Sequence, residues 1–161
     1  MEPLSEQLRQ AMRAWTTGVS VVTSTAEGRT HGMTVNSFTS VSLEPPRVTV
    51  TLAHPTRTYA LVKASGVFAV TILRADQWEL SDRFAGRVPE DGDRFAGVPT
   101  FALVSGAPLI ENGLGFVDCR VVHEFEMINS TLFVGEVLAA QRSEGDDPLA
   151  YFNRIYHRLV P

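Results

Sequence analysis

Cysteine is nearly absent. Cys119 is the single one among 161 residues, so the chain cannot close an internal disulfide. It lies in the strand-like run Val117-Asp118-Cys119-Arg120-Val121-Val122, where a small buried core residue is the expected role. No cluster of cysteine and histidine appears in the sequence, so no metal site is expected. No stretch approaches the ~20 apolar residues that span a bilayer, and Met1-Glu2-Pro3 opens without the apolar run of a signal peptide. A cytoplasmic protein that does not enter a membrane is expected. The formal net charge of −4 gives no basic field for nucleic acid or anionic lipid. No Gly-x-Gly-x-x-Gly follows a strand, which disfavours a Rossmann cofactor fold, and no catalytic triad is visible.

What is present is ordinary in amount: 44% hydrophobic and 20% charged residues, enough for one domain over residues 1–161 with a real core. No repeat, low-complexity tract or linker divides it. The informative stretch runs from Gly32 to Pro46, GMTVNSFTSVSLEPP. As a strand it places Thr34 and Asn36 on one face and Val35 on the other. Thr34, Asn36, Ser37, Thr39, Ser40 and Ser42 need hydrogen-bond partners, which are either neighbouring strands or a ligand. Glu44-Pro45-Pro46 closes the stretch with a turn, and Val48-Thr49-Val50-Thr51-Leu52 follows as a second strand. Then comes His54-Pro55-Thr56-Arg57-Thr58-Tyr59, at the expected start of a helix. Backbone N–H groups there, with Thr56, Arg57 and Thr58, form a candidate anion site. A planar heterocycle along Thr34–Ser37 with its phosphate at Thr56–Thr58 is the ligand this order of residues fits.

Elsewhere, Leu4, Leu8, Ala11, Met12 and Trp15 recur at helical spacing, an amphipathic first helix expected to cover a barrel end. Val19–Thr25 reads as a strand and Ala26-Glu27-Gly28-Arg29 as a hairpin turn. A short helix over Thr58–Ser65 stops at Gly66, and Val67–Leu73 is an apolar central strand. Asp76 and Glu79 resemble a capping box opening a helix that Gly86 ends. Arg87 to Thr100 turns to glycine, proline and charge, a loop whose Arg87, Asp91, Asp93 and Arg94 read as solvated surface. Two long strands, Leu114–Met127 and Thr131–Arg142, make an antiparallel ribbon before a tail with Tyr151, Phe152, Tyr156 and His157. Five or six antiparallel strands with few helices predict a mainly β, α+β barrel.

The run GMTVNSFTSVSLEPP, together with TRTYALVKASGVFAVTIL and ELSDRFAG, resembles the short-chain flavin reductases, the reductase components of two-component flavin monooxygenases. The likeness extends from about Ala14 to Leu159. It implies an antiparallel, Greek-key-like split β-barrel with peripheral helices, acting as a homodimer that binds FMN or FAD and oxidises NADH or NADPH to supply free reduced flavin. Carried over, Thr34, Val35, Asn36 and Ser37 meet the isoalloxazine and ribityl parts, and Arg57 and Thr58 the phosphate. Ser40, Leu52, Ala53 and Thr56 complete that cofactor set. The family commonly carries Gly-Asp-His between its last long strands, with the histidine near the nicotinamide; this chain reads Ile128, Asn129 and Ser130. His157, in a tail that also resembles the family's, is the candidate replacement.

Hydride transfer between cofactors places little acid–base demand on a protein, so no catalytic side chain is expected. Backbone donors of Val35–Ser37 are the expected stabilisers of charge in the reduced ring. The alternative is a split-barrel flavin protein without nicotinamide oxidation, a carrier, a sensor or an acceptor of electrons from a protein donor. A related split-barrel oxidoreductase acting on another small molecule is a third reading.

Overall fold

A computed structural model describes residues 1–89 and 92–160. In chain order the elements are α1 (Leu4–Met12), β1 (Thr17–Gly18), β2 (Ser20–Ala26), β3 (Arg29–Val35), β4 (Thr39–Leu43), β5 (Pro46–Ala53), α2 (Arg57–Ser65) and β6 (Val67–Ile72). A 3-10 turn (Ala75–Gln77) leads into α3 (Trp78–Phe84). There follow β7 (Thr100–Phe101), β8 (Leu109–Ile110), β9 (Gly115–Glu126), β10 (Ser130–Arg142), β11 (Leu149–Phe152) and β12 (Ile155–Arg158). The chain is mostly β, antiparallel, with few helices.

Seven strands pair in the order β3-β2-β6-β9-β10-β5-β4. Laid flat, the six spacings between the edge strands β3 and β4 would hold them roughly 29 Å apart. Yet Val35 at the end of β3 and Thr39 at the start of β4 are joined only by Asn36, Ser37 and Phe38, and four Cα steps span at most about 15 Å. The sheet must therefore roll until its edges meet, with no ladder between them: a barrel split along the β3/β4 seam. The core agrees, since Val22, Val35, Val50, Phe68, Cys119 and Phe133, from strands all around the sheet, pack into one buried cluster.

Local chemistry explains the elements. The β2/β3 hairpin turns through Glu27 and Gly28, both at positive φ (52° and 74°), as a right-twisted two-residue turn requires. Thr56 caps α2 by accepting from the Tyr59 amide, and Gly66 at φ 70° ends it, its N–H returning to Val62 O at 2.8 Å. Gly32 lets α3 approach β3, since a Cβ there would lie 3.1 Å from the Phe84 ring.

Three expectations are corrected. The first helix buries none of its residues; Leu4, Leu8, Met12 and Trp15 face outward instead of covering the barrel. Asp76 and Glu79 do not cap α3; Gln77 does the local capping, its side-chain oxygen accepting from the Arg74 amide at 2.9 Å. The loop after α3 is more than solvated surface. Arg94 donates to Gly32 O and Phe84 O, each at 3.1 Å, tying α3 to β3, and Arg87 enters a cavity wall. Asp91 lies outside the described residues. The tail, whose sequence shows no strand alternation, forms the β11/β12 hairpin, and β11 pairs with β1.

Candidate functional site

The seam between β3 and β4 is where the polar stretch lies, and its residues divide into those with internal partners and those without. Thr34 Oγ1 donates to Ser81 O at 2.6 Å and pins β3 to α3. Val35 turns into the core. Ser37 Oγ both accepts from the Thr51 amide and bonds Thr51 O, each at 3.1 Å, clamping the connection against β5. Asn36, between them, is exposed, and its amide has no partner among the described residues. Ser40 is exposed on β4.

Further along, Leu52 is fully buried in the barrel core and Ala53 is exposed at the end of β5. The Thr56 hydroxyl donates to Ala53 O at 2.8 Å while capping α2. Arg57 is exposed at the first position of α2. Thr58 points inward, its hydroxyl 2.8 Å from His31 Nδ1, so only backbone is left there for a ligand. Hydrogen bonds thus link Ser37 to Thr51 on β5 and, two residues further along that strand, Ala53 to Thr56 at the start of α2. His157 stands apart on β12, exposed, beside the Phe152 ring. Ile128 is fully exposed in the β9/β10 turn, and that turn meets His54, whose amide donates to Asn129 O at 3.0 Å.

Beside Asn36 opens a cavity of about 220 Å³, floored by Thr34 and Val35 and walled by Arg87, Tyr151 and Tyr156. It has room for a ring-sized portion of a ligand rather than a whole nucleotide. A second hollow of about 320 Å³, reaching from Trp15 and Thr17 to Phe38, meets Asn36 from the other side.

The polar wall is a network that the sequence did not disclose. Tyr156 donates its hydroxyl to Asp82 Oδ1 at 2.7 Å, and Ser81 Oγ lies 2.7 Å from the same hydroxyl. Arg87 donates to Asp82 Oδ1 at 3.0 Å, and to the Tyr156 and Tyr151 hydroxyls at 3.4 Å each. Burial pushes the Tyr156 phenol above its ordinary value, and the Asp82 carboxylate adds to the rise. The Tyr151 hydroxyl and Asp82 raise Arg87, which stays protonated. ELSDRFAG carried the signal for Ser81 and Asp82, and the paired tail tyrosines for Tyr151 and Tyr156. Arg87 was less legible, because two of its three partners, Tyr151 and Tyr156, lie 64 and 69 positions away.

These features suit a flat, acceptor-rich ring. A free amide and a cation line one cavity, apolar Val19 and Ala85 flank it, and a capped helix start follows one hairpin later in the chain for a phosphate.

Residues 12–160 match the family model described as a flavin reductase like domain. The chain is 36% identical over 152 residues to the NADH-dependent flavin reductase StyB of Pseudomonas fluorescens, covering 92% of this chain and 86% of that one. It is 37% identical to the FMN reductase (NADH) SmoA of Agrobacterium fabrum, over 96% of this chain and 86% of that one. Among solved structures, the NADH:FAD oxidoreductase SgcE6 of Streptomyces globisporus, in complex with NAD and FAD fragments, superposes with a TM-score of 0.89 at 33% identity. That superposition covers 98% of this chain and 93% of the other. The fold, the rolled seam and these likenesses converge, and the chain belongs to the flavin reductase family.

Proposed function

We propose that this protein is an NADH-dependent flavin reductase that supplies reduced FMN or FAD to a separate monooxygenase. The observation that carries the reading is the Asn36 amide, without a partner among the described residues and exposed at the seam beside a ring-sized cavity. Relatives at about this distance are NADH-dependent flavin reductases, as the names of StyB and SmoA state.

A flavin bound here supplies the redox chemistry, accepting a hydride from the reduced nicotinamide. The chain supplies position. Asn36 and the backbone of Val35–Ser37 hold the ring edge, with Val35 and Val19 against its apolar part. Arg57 and the first amides of α2 hold the phosphate through charge and orphan N–H groups. The clamp from Ser37 to Thr51 fixes this strip before ligand arrives. Ser40 stands exposed on β4, and Leu52 lies in the barrel core. His157 has no part in the ring cavity; it borders a separate hollow with Asp76 and Trp78.

The protein works as a homodimer in the cytoplasm in this reading. Support for the dimer is the apolar face of α1, where Leu4, Leu8, Met12 and Trp15 stand uncovered. Light scattering of the full chain is expected to give twice the monomer mass, and Leu8→Lys to lower it.

The test of the activity is anaerobic. Purified protein with NADH is expected to bleach added FMN or FAD with multiple turnovers. Flavin that binds while NADH is not consumed would point to the carrier alternative, and no bleaching with either flavin would remove the reading.

A further inference from the structure

Among the described residues, the wall of the ring cavity holds one cation and no carboxylate: Arg87 lines it, while Asp82, which anchors Arg87, does not. A guanidinium carries five N–H donors, and its bonds to Asp82, Tyr156 and Tyr151 leave others unused. The Tyr151 hydroxyl accepts from Arg87, and its own hydrogen has no acceptor among the described residues. With the Asn36 amide, three sets of donors look onto one small space. A guanidinium, a hydroxyl hydrogen and an amide NH2 gathered on one wall favour a ligand edge rich in carbonyl oxygens, and the guanidinium charge favours an anion there. The arrangement is also held in advance. The Tyr156 ring lies 5.9 Å from the guanidinium carbon, and Tyr156 is itself fixed by Asp82 and Ser81, so Arg87 loses little freedom on binding.

We infer that Arg87 and Tyr151 bind the carbonyl-bearing pyrimidine edge of the flavin and stabilise the negative charge that this edge gains on reduction. The inference rests on the flavin reading above. The redox step balances without a protein proton: two electrons and one hydrogen leave the nicotinamide as hydride, the nicotinamide becomes cationic, and the flavin ring keeps the added negative charge. Arg87 meets that charge, so its contribution is larger for reduced than for oxidised flavin.

The test compares wild type, Arg87→Gln, Arg87→Lys and Tyr151→Phe. Affinity for oxidised and for reduced FMN is measured anaerobically, and the midpoint potential of bound FMN by dye equilibration. Arg87→Gln is expected to weaken reduced FMN at least tenfold more than oxidised FMN. For a two-electron couple that is a fall of about 30 mV in potential. Arg87→Lys should keep most of the potential, and Tyr151→Phe should lower it by less than Arg87→Gln. An Arg87→Gln protein that melts like wild type and keeps both affinities and the potential would overturn the inference while leaving the activity standing. A wild type that binds neither flavin would instead overturn the reading beneath it.

Discussion

Asn36 and Thr58 were candidates of one kind in the sequence, and the structure gives them opposite surroundings. Asn36→Ala is expected to weaken flavin binding by about 1–3 kcal/mol, the usual loss of a hydrogen-bonded group that ligand buries, with an unchanged melting temperature. Fluorescence titration beside calorimetry checks both halves. Thr58→Val should do the reverse. It removes a hydrogen-bond partner of the buried His31 ring, which costs about 1–3 kcal/mol of stability, yet leaves the α2 amides in place for phosphate. Arg57→Ala should weaken FMN more than riboflavin, because only FMN carries the phosphate; equal losses would assign Arg57 to stability. Asn36 was legible because a polar group on a strand otherwise built for burial demands a partner. The inward turn of Thr58 was not, because its partner lies on another hairpin, 27 positions earlier.

At the scale of elements, period-two alternation marked the strands, and a terminal glycine marked the end of α2. The β11/β12 hairpin and the α3 network escaped notice because their logic is tertiary: Asp82 and Tyr156 meet across 74 positions. A charge in a glycine-rich loop reads as solvated until its partners are known. Strand β9 carries its own prediction. Burial, with the Asp118 charge second, pushes the Cys119 thiol from 9.0 up to about 12. Below pH 9 the thiol is protonated in both folded and unfolded chains and has no effect on the balance. As pH rises from there toward 12, the unfolded chain gives up the proton while the folded one keeps it, so stability falls. Urea unfolding across that range should show the decline, and Cys119→Ala should flatten it. Thiol reagents at neutral pH should leave native Cys119 unmodified. Across the ribbon, a Cβ on Gly135 would come within 2.5 Å of the Phe68 ring and 2.9 Å of Cys119 Cβ. Gly135→Ala is expected to lower stability by about 1–3 kcal/mol through overpacking, read by thermal melts.

For the molecule as a whole, antiparallel β architecture followed from the spacing of strands, and the roll of the sheet from its strand order. What composition could not supply was the pairing of β2 with β6 and β6 with β9, contacts between strands far apart in the chain. Two of the three residues that suture the barrel's edges, Asn36 and Ser37, are also proposed to hold the flavin. A reductase that hands its product to another protein must grip and let go at every cycle, and here both acts tug on the stitch that keeps the barrel shut. Occupancy should therefore be felt as stiffness: saturating flavin ought to slow hydrogen exchange at the Thr51 amide, and Ser37→Ala, which cuts that thread, ought to quicken it.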